Sequence, residues 1–541
     1  MNSSLYRWID NNILELGREL RLSYLPPLMV YMAAGISGLT AIVGTFFVKE
    51  YLDLSADFLA ALGFWANIPW SLKMPFGHLV DIIWRWKSWL VFLGAGLIAV
   101  SLLIMAGLLT DREAMIAVMP AGAWFVLSTL LAPVGYMMQD SVADAMTVEA
   151  VPHVDDQGKP YGAATLKLMH TTMQTLGRVA IIGGTVLVAL INLYVFSNAE
   201  LSTEAEKAAV YRDVYLMALT IPLISVAGIV VAVYVRHRQK KNLLAGGLGL
   251  AEIRKIQMQA VEKTAPNWWI LGGGIAFVAF TLFMGFSEYV YNQEIILAGS
   301  LAIVCFLIAR LTRELTPEAR ATLLGTAVII FVFRAVPATG PGTTWWMIDV
   351  LGFDQGFFSV LSLIASTLTL FGMFIFRRFM AEHSLAYVVG ALTIAGTLLT
   401  LPTLGMYYGL HEWTAAHSGG VVDARFIALV NTALESPLGQ IAMIPMLAWI
   451  AHSAPARLKA TYFAVMASFT NLALSLAQLG AKYLNQAFVV TREVREVTIN
   501  VIHIPADYSR LGDIIIAVIL IGLVASFAAI LLVRMVRLKW A

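Results

Sequence analysis

The chain has 541 residues, of which 59% are hydrophobic and only 13% are charged, and its mean hydropathy is +0.77. This composition is too apolar for a soluble protein of that length and predicts an integral membrane protein. The net charge of +2 gives no reason to expect a nucleic-acid partner. The single cysteine, Cys305, excludes an intrachain disulfide and a thiolate metal site.

The apolar residues fall into blocks of roughly 20, the length that a helix needs to cross the hydrocarbon core. They lack the short alternating segments of a membrane barrel. The pattern therefore predicts an all-α, polytopic protein with about 14 membrane spans. In chain order the predicted spans are 25–47, 56–76, 88–109, 114–139, 161–194, 211–235, 267–288, 293–311, 320–338, 355–376, 384–405, 424–450, 458–485 and 511–535.

The orientation follows from the excess of Lys and Arg that is expected on the cytoplasmic side. With the N-terminus inside, about 23 of the 36 basic residues lie at cytoplasmic ends and loops, and about 8 lie outside. The first 24 residues show no removable signal peptide. We therefore expect both termini to be cytoplasmic, in a multi-pass protein of a plasma membrane or a bacterial inner membrane.

A basic, polar segment from Arg236 to Thr264 divides the chain. It predicts an N-terminal six-helix bundle (1–240), a cytoplasmic linker with an extra transmembrane hairpin (241–316) and a C-terminal six-helix bundle (317–541). Two six-helix bundles joined by a linker are the plan of the major facilitator superfamily, in which the substrate site lies near the membrane midplane between the bundles.

Ionisable residues at membrane depth concentrate in the fourth and fifth predicted spans. Asp140 and Asp144 lie four residues apart on one helical face. In the next helix, spacings of three, four and four place four polar residues on a single face. They are Lys167, His170, Gln174 and Arg178. Because such side chains nearly always face a bundle interior or a water-filled cavity, we predict one wall of a transport path here.

Arg178 lies several turns inside its helix and carries a permanently charged, planar guanidinium, which suits a carboxylate. We predict that it binds an anionic solute, and the alternative is a permanent buried acidic partner. Gln174 and His170, on the same stripe, are predicted to line the substrate site. His170 is a candidate proton shuttle, with a histidine that is only hydrogen-bonded as the alternative.

Asp140 and Asp144 are the predicted proton carriers, because close carboxylates at a membrane edge raise one another's pKa. The alternative is a salt bridge with Lys73 or Lys167 that locks one closed state. The nearby Glu149 is interpreted as a solvated loop charge.

The second predicted span ends in PWSLKMPFGHLVD and leads into a short basic loop, which we interpret as an inner gate. Gly77 would permit a close backbone approach, and Asp81 would pair with a cation or a helix N-terminus. The other predicted gate residues are Lys73, Arg85 and Lys167. A plain turn with cytoplasmic positive charges is the alternative.

The C-terminal half offers two further candidate substrate ligands. Arg334 precedes AVPATGPGTTWW, where prolines and glycines break the helix and free backbone groups that a cavity can use for cargo. Glu435 is an acidic residue at membrane depth, next to Ser436 and Pro437.

Several motifs occur in a characteristic order along the chain. In the first half they are Trp70, Lys73, Gly77 and Asp81, then Asp140, Asp144, Val148 and Glu149, then Gly177 and Arg178. In the later helices they are Gly439, Gln440, Pro445, Thr461, Phe463 and Asn471. In these positions the chain resembles the folate-biopterin transporter family of the major facilitator superfamily, over most of 25–240 and 320–485. The resemblance implies a folate- or pterin-like solute.

The chain departs from that family at Met74, Asn431 and Lys459, and the hairpin from Trp268 to Leu311 is absent from the ordinary twelve-helix plan. Muropeptide permeases share the Pro-x-x-Leu-Lys pattern at the end of the second span. A muropeptide permease, or another peptide or sugar permease of the same superfamily, therefore remains the alternative.

These features predict a secondary active transporter that moves an organic anion with protons by alternating access. The rival class is a polytopic membrane enzyme, but the nine histidines are scattered and neither HExxH nor a Gly-rich phosphate loop occurs. We therefore expect no enzymatic activity, no metal and no organic cofactor. The expected partners are the solute, protons and the lipid bilayer, and the sequence leaves the oligomeric state open.

Overall fold

The computed structural model of the chain is dominated by long helices. It describes residues 15–52, 54–152, 154–155, 159–198, 203–253, 266–287, 289–376, 379, 383–438, 459–495 and 502–540.

The first part of the chain contains helices of very different lengths, joined by 3₁₀ turns at Leu22–Tyr24, Ser37–Thr40 and Trp84–Trp86. These helices are α1 (Glu15–Arg18), α2 (Leu25–Ile36), α3 (Ala41–Tyr51), α4 (Ala56–Ser71), α5 (Lys73–Ile82), α6 (Ser88–Thr110), α7 (Arg112–Val118), α8 (Ala121–Ala150), α9 (Ala163–Asn198), α10 (Glu204–Ala218) and α11 (Thr220–Ala245).

The later part adds further helices, two 3₁₀ turns (Thr312–Glu314 and Ser436–Leu438) and one short antiparallel hairpin. The helices are α12 (Trp268–Gly285), α13 (Asn292–Leu311), α14 (Pro317–Arg334), α15 (Pro341–Asp349), α16 (Gln355–Ile375), α17 (Leu385–Tyr407), α18 (Leu410–His417), α19 (Ala424–Glu435), α20 (Lys459–Ala487) and α21 (Leu511–Met535). In the hairpin, β1 (Val494–Arg495) pairs Val494 with Ile504 of β2 (Ile502–Ile504).

Local sequence explains where many helices start. Ser55 caps α4, Asp354 caps α16, and Thr203 forms a capping box with Glu206 at the start of α10. In each case a side-chain oxygen accepts a hydrogen bond from a backbone N–H that has no partner inside the helix. Pro317 begins α14, where its missing N–H costs nothing.

Ten helical segments among the described residues are long and apolar enough to cross a membrane. Each corresponds to one of the predicted spans, so the multi-pass helical class is confirmed. The other four predicted spans, near 56–76, 320–338, 424–450 and 458–485, coincide at least in part with α4 and α5, α14, α19 and α20. A total of fourteen crossings stays a prediction.

The fourth span differs from its predicted limits of 114–139. Residues 112–118 form the separate helix α7, none of whose residues is buried, and α8 begins only after Pro120. The helix then continues to Ala150, because Asp140, Asp144 and Glu149 are accommodated within it rather than in a loop.

Glycines bring the helices of the first part into close contact. A Cβ on Gly94 of α6 would lie 2.6 Å from the carbonyl oxygen of Gly135 in α8. A Cβ on Gly35 of α2 would lie 2.1 Å from the carbonyl oxygen of Ile181 in α9, beside Gly184. The absence of side chains therefore sets how closely α8 and α9 pack on their neighbours.

The inserted hairpin, α12 and α13, packs beside the main bundle. Its contacts reach α4, α5 and α20. Gly274 lies against Pro75 of α5, and the Gln293 amide nitrogen donates to the carbonyl of Ala61 in α4 at 3.2 Å. Lys482 of α20 donates to the Gln293 amide oxygen at 3.1 Å. The hairpin thus contacts helices from both the first and the later part of the chain.

The bundle has two ends. The end that carries Glu149 and Arg236 is called the Glu149 face, and the opposite end, which carries Lys49 and Asp349, is called the Asp349 face. The predicted orientation places the Glu149 face in the cytoplasm.

Candidate functional site

An ionic cluster joins α5 to α8 on the side of the Glu149 face. The Lys73 Nζ atom lies 2.5 Å from Asp140 Oδ2 and 2.8 Å from Asp144 Oδ2. One lysine therefore serves both carboxylates that the sequence placed on one helical face. The Asp140 side chain is 14% exposed, whereas that of Asp144 is 48% exposed, so the two carboxylates differ in their access to water.

The backbone of the second span positions Lys73. The helical axis is interrupted at Leu72, between α4 and α5, so Lys73 is the first residue of a new helix. Pro75 contributes to this interruption because it has no N–H to donate to the carbonyl of Ser71. The Met74 N–H donates to Ser468 Oγ of α20 at 3.1 Å, which anchors the break against the later part of the chain.

Tyr31 of α2 completes the cluster and was not identified from the sequence. Its hydroxyl donates to Asp144 Oδ1 at 2.6 Å, and its side chain is buried. The ring packs on Gly177 of α9, where an added Cβ would lie 2.9 Å from the ring. A tyrosine in an apolar helix gives no local signal of such a role, since only the tertiary fold brings α2 to α8.

Arg178 follows Gly177 and lies near the cluster with an exposed side chain. Its charge acts on both Asp140 and Tyr31. It forms no ion pair with any residue that the structure describes. Gln174, one turn earlier, donates to Thr147 Oγ1 at 3.3 Å and so links α9 to α8. The guanidinium therefore stands near the Asp140 carboxylate and the Tyr31 hydroxyl without forming an ion pair with Asp140.

Four predicted gate or substrate residues have side chains outside the described part of the structure. They are Asp81, Arg85, Lys167 and His170. Gly77 lies in α5, and no atom of the described residues lies within 4 Å of the position that a Cβ would occupy there. No close backbone approach at Gly77 occurs among the described residues in this conformation, and its part in a gate stays a prediction.

Glu149 is not a solvated loop charge, as its sequence position had suggested. It lies in the last turn of α8, where its carboxylate is 2.6 Å from Lys87 Nζ and 3.5 Å from Arg236 Nη2. Lys87 is 2% exposed and also lies 3.4 Å from the ring centroid of Trp84. Glu149 thus connects the start of α6 to α11. The charge of the buried Lys87 is stabilised by the Glu149 carboxylate and by the face of the Trp84 ring.

At the Asp349 face a second set of polar contacts joins the two parts of the chain. Lys49 Nζ lies 2.5 Å from Asp349 Oδ1, and the Tyr508 hydroxyl donates to the same carboxylate. Arg492 donates to the carbonyl of Lys49 and lies over the Trp345 ring, 5.5 Å from its centroid. These pairings were not predicted from the sequence, because the partners lie far apart in the chain: Tyr508 and Asp349 are 159 residues apart, and Arg492 and Lys49 are 443 residues apart.

Arg334 and Glu435, the predicted solute ligands of the C-terminal half, lie on other helices than the Lys73 cluster. Arg334 is the half-buried last residue of α14, and Glu435 is the exposed last residue of α19. Gly439, Gln440 and Pro445 lie outside the described residues. Asn471 of α20 donates to the carbonyl of Trp70 in α4 at 3.1 Å, so this matched motif position lies where the two parts of the chain meet.

Among the described residues, no group of three or more His, Cys, Asp and Glu is arranged to hold a metal ion. The charged residues that come together are instead linked by ion pairs between helices, as Lys73 of α5 is to Asp140 and Asp144 of α8. Such pairs can exchange partners when helices move.

The helical architecture and the ionic contacts between helices define the class: an integral, multi-pass membrane protein with the fold of the major facilitator transporters. Its fold is similar to that of a POT family transporter in complex with 5-aminolevulinic acid, with a TM-score of 0.58 and 12% identity over 95% of this chain and 96% of that one. A peptide transporter in complex with sulfate gives a TM-score of 0.53 at 16% identity, with 96% of each chain covered. These low identities speak for the fold alone.

The chain belongs to the BT1 family, which it matches over residues 34–538. It is also 28% identical over 152 residues to a folate-biopterin transporter of Synechocystis sp.. That match covers 28% of this chain and 30% of the relative. The resemblance predicted from the motifs is thereby confirmed, and the proteins that the chain resembles are transporters rather than enzymes.

Proposed function

We propose that the protein is a secondary active transporter of an organic anion with a folate- or pterin-like ring, coupled to protons and working by alternating access. The observation that carries this proposal is the shared lysine: Lys73 holds Asp140 and Asp144 together near Arg178, whose charge has no ion-pair partner among the described residues. The choice of solute rests on the family and on the name of the curated relative.

The cluster can couple a proton to an anion because its charges are finely balanced. Lys73 and Arg178 carry two positive charges, and Asp140 and Asp144 carry two negative charges. An arriving carboxylate at Arg178 adds a negative charge, and protonation of one aspartate restores the balance. In a partly desolvated site this compensation favours binding of the proton and the anion together.

Protonation of an aspartate also removes one of the two ion pairs of Lys73. This lysine begins α5, which meets α20 through the bond from Met74 N–H to Ser468. Loss of an ion pair would loosen α5 from α8 at the point where α5 meets α20, and would so favour rearrangement at the Glu149 face.

The finer assignments belong to the same proposal. The chain would cross the membrane fourteen times with both termini in the cytoplasm, as bundles 1–240 and 317–541 with the segment 241–316 between them. Asp81, Arg85 and Lys167 would join Lys73 and Gly77 in the inner gate. His170 and Gln174 would line the solute site, with Arg334 and Glu435 on its opposite wall.

Uptake into proteoliposomes tests the proposal. Labelled folate should accumulate when the outside is acid, and an ionophore that removes the proton gradient should abolish the accumulation. Arg178→Ala should reduce uptake by about a hundredfold, because a hydrogen-bonded contact between charged groups contributes about 1.5–3 kcal/mol to solute binding. Arg238→Ala, which removes an exposed arginine of α11, serves as the matched control.

Normal uptake by Arg178→Ala would remove the anion-binding assignment. Uptake that ignores the pH gradient would remove the coupling. Accumulation of a muropeptide or sugar by a protein that ignores folate would replace the solute class with the alternative of a peptide or sugar permease.

A further inference from the structure

One end of the inserted hairpin carries a cluster of aromatic and basic side chains. The guanidinium carbon of Arg310, in the last turn of α13, lies 4.2 Å from the centroid of the Trp269 ring at the start of α12. The Phe306 ring, one turn before Arg310, lies 6.0 Å from the same tryptophan. With the neighbouring Trp268, these side chains form the Arg310 cluster, which shares no residue with the Lys73 cluster or with the contacts of the Asp349 face.

The Arg310 cluster lies where the hairpin leaves the membrane on the side of the Glu149 face. The N–H of Asn267, just before α12, donates to His78 Nε2 of α5 at 2.8 Å, and α5 leads to that face. Both hairpin helices are long and apolar enough to cross a membrane: the first span begins at Trp268, and the second ends at Arg310. At such a boundary the hydrocarbon core gives way to lipid headgroups, and tryptophan is typical of this level.

The side chains of the cluster face outward from the bundle. Trp268 is 76% exposed, Trp269 is 56% exposed and Phe306 is 49% exposed. Arg310 is half-buried, and Arg313, in the 3₁₀ turn that follows α13, is exposed. In a chain that spans a membrane, lipid is the neighbour of an outward surface at this level.

The positive charge of the cluster has no acidic partner within the described part of the chain, where neither Arg310 nor Arg313 forms an ion pair. The Trp269 ring attracts the guanidinium charge but offers no oxygen to its five N–H donors. Those donors form a planar fork that suits the oxygens of a phosphate. The ring therefore holds the guanidinium in place while its donors remain available to a ligand.

An apolar stripe runs from the cluster into the membrane. Exposed side chains of α12 recur at spacings of seven, three and four residues, which place them on one helical face: Trp268, Ile275, Val278 and Leu282. Gly272 lies between the first two, and the described residues leave the space beside it open. The stripe is about 21 Å long at about 1.5 Å per residue. A phospholipid acyl chain can lie along it.

We propose that the Arg310 cluster binds an anionic phospholipid of the leaflet at the Glu149 face. The phosphate accepts hydrogen bonds from Arg310, Arg313 adds a second positive charge, and one acyl chain lies along the stripe that begins at Trp268. A zwitterionic lipid has the same phosphate, but its ammonium group cancels the charge, so an anionic headgroup is preferred. The site gives the inserted hairpin a role that depends neither on the solute nor on proton coupling.

Cys305 supplies a reporter for this site, since it is the only cysteine of the chain, is exposed and directly precedes Phe306. A bimane fluorophore on this thiol is quenched by brominated acyl chains that lie beside it. The experiment compares brominated phosphatidylglycerol with brominated phosphatidylcholine in bilayers that contain the full-length protein. We expect the wild type to prefer phosphatidylglycerol by about fivefold or more, the contribution of a basic residue at an anionic lipid surface.

Three variants test which side chains cause the preference. Arg310→Gln should reduce it by about fivefold, since one positive charge and its donors are lost. Trp269→Leu keeps both arginines and should also reduce it, because the guanidinium loses the ring that positions it. Arg238→Gln, which removes an exposed arginine of α11 on the same side of the membrane, should leave the preference unchanged. Thermal unfolding establishes that each variant is folded before the lipids are compared.

Three outcomes would overturn the lipid site. The first is an absence of preference in the wild type, or an equal preference in the wild type, Arg310→Gln and Trp269→Leu. The second is an equal loss in Arg238→Gln and Arg310→Gln, which would mean that the general charge of this face attracts the lipid. The third is a lack of quenching by either lipid, which would place protein, such as a second copy of the chain, against the hairpin.

Discussion

Lys49 of α3 and Asp349 of α15 form an ion pair of 2.5 Å that joins the first part of the chain to the later part at the Asp349 face. Both side chains are largely buried, with 13% and 22% of their surfaces exposed. Tyr508 and Arg492 hold the two partners from a third segment, near the β-hairpin. An alternating-access transporter needs such contacts at the closed end, and they must break when that end opens.

Removing the Lys49–Asp349 pair should favour opening of the Asp349 face. We expect Asp349→Asn to increase thiol labelling of an Ile348→Cys reporter by about fivefold, since a partly exposed ion pair contributes about 1 kcal/mol. The measurement is the labelling rate with a membrane-impermeant reagent, in a Cys305→Ser background. The charge-exchanged double variant, Lys49→Asp with Asp349→Lys, should return the rate toward that of the parent. Equal rates in all three proteins would argue against a gate here.

Lys73 should be tested together with its aspartates, because one lysine serves two carboxylates. Lys73→Ala leaves Asp140 and Asp144 without their shared cation and should destabilise the protein by about 3–5 kcal/mol. Lys73→Ala with Asp140→Asn should be more stable than Lys73→Ala alone, since one unpaired charge has been removed. Thermal unfolding in detergent checks both values, and Lys539→Ala at an exposed ion pair is the control. If the double variant is the less stable one, the carboxylates do not depend on Lys73.

Tyr31 should matter through its hydroxyl rather than through its ring. Tyr31→Phe keeps the packing against Gly177 and removes the donor to Asp144 Oδ1. Loss of a hydrogen bond to a charged acceptor costs about 1.5–3 kcal/mol, so we expect Tyr31→Phe to lower the free energy of unfolding by about that amount. Thermal unfolding in detergent measures the change. Tyr194→Phe, at an exposed tyrosine of α9, is the control, and equal stability of Tyr31→Phe and the wild type would exclude a role for the hydroxyl.

His78 predicts a pH-dependent attachment of the inserted hairpin. Its Nε2 atom accepts from the backbone N–H of Asn267, just before α12, at 2.8 Å, and burial lowers the pKa of His78. Because the folded pKa lies below the unfolded value of about 6.5, this contact is fully present above about pH 6.5 and is lost as the pH falls through the folded pKa.

Hydrogen exchange of the peptide around residues 266–270 measures this attachment. Exchange at the Asn267 amide should rise about fivefold on acidification, the equivalent of about 1 kcal/mol for one hydrogen bond, after correction for intrinsic exchange rates. His78→Phe should show the faster exchange at every pH. A wild-type rate that does not change with pH would contradict the assignment.

Gln293 should stabilise the hairpin because its amide contacts α4 and α20 at once. Gln293→Leu removes the bond to Ala61 and the acceptor of Lys482, which we expect to cost about 1–2 kcal/mol of stability. The maximal rate of uptake should change more than the half-saturating concentration, since the Gln293 amide contacts Ala61 and Lys482 and neither is a proposed solute ligand. Gln486→Leu, at another polar contact of α20, is the comparison. A large change in half-saturation alone would place Gln293 in solute binding instead.

The sequence was informative where the signal is local. Hydrophobic blocks located the helices, and the four-residue spacing of Asp140 and Asp144 identified two carboxylates that the structure does place on one cation. The salt bridge to Lys73, considered as an alternative to proton transfer, is present in the fold. Long-range pairs were beyond such reasoning: nothing near Lys49 in the sequence points to Asp349, and nothing near Tyr31 points to Asp144.

Glu149 shows why charge near a span end is ambiguous. Polarity alone suggested that the helix stopped before it, but Lys87 and Arg236 compensate the carboxylate and allow α8 to continue. The space beside Gly77 was not predictable for a related reason, since whether a glycine is crowded depends on neighbours that only the tertiary structure supplies.

The crossing of Gly35 and Gly184 has a consequence for how the first part of the chain can move. At this point the backbones of α2 and α9 are so close that even a methyl group would collide with main-chain atoms. Sliding either helix past the other would drive a neighbouring side chain into that gap. Tyr31 and Arg178, which both precede the crossing on their helices, should therefore keep a constant separation throughout a transport cycle and travel together as one rigid piece.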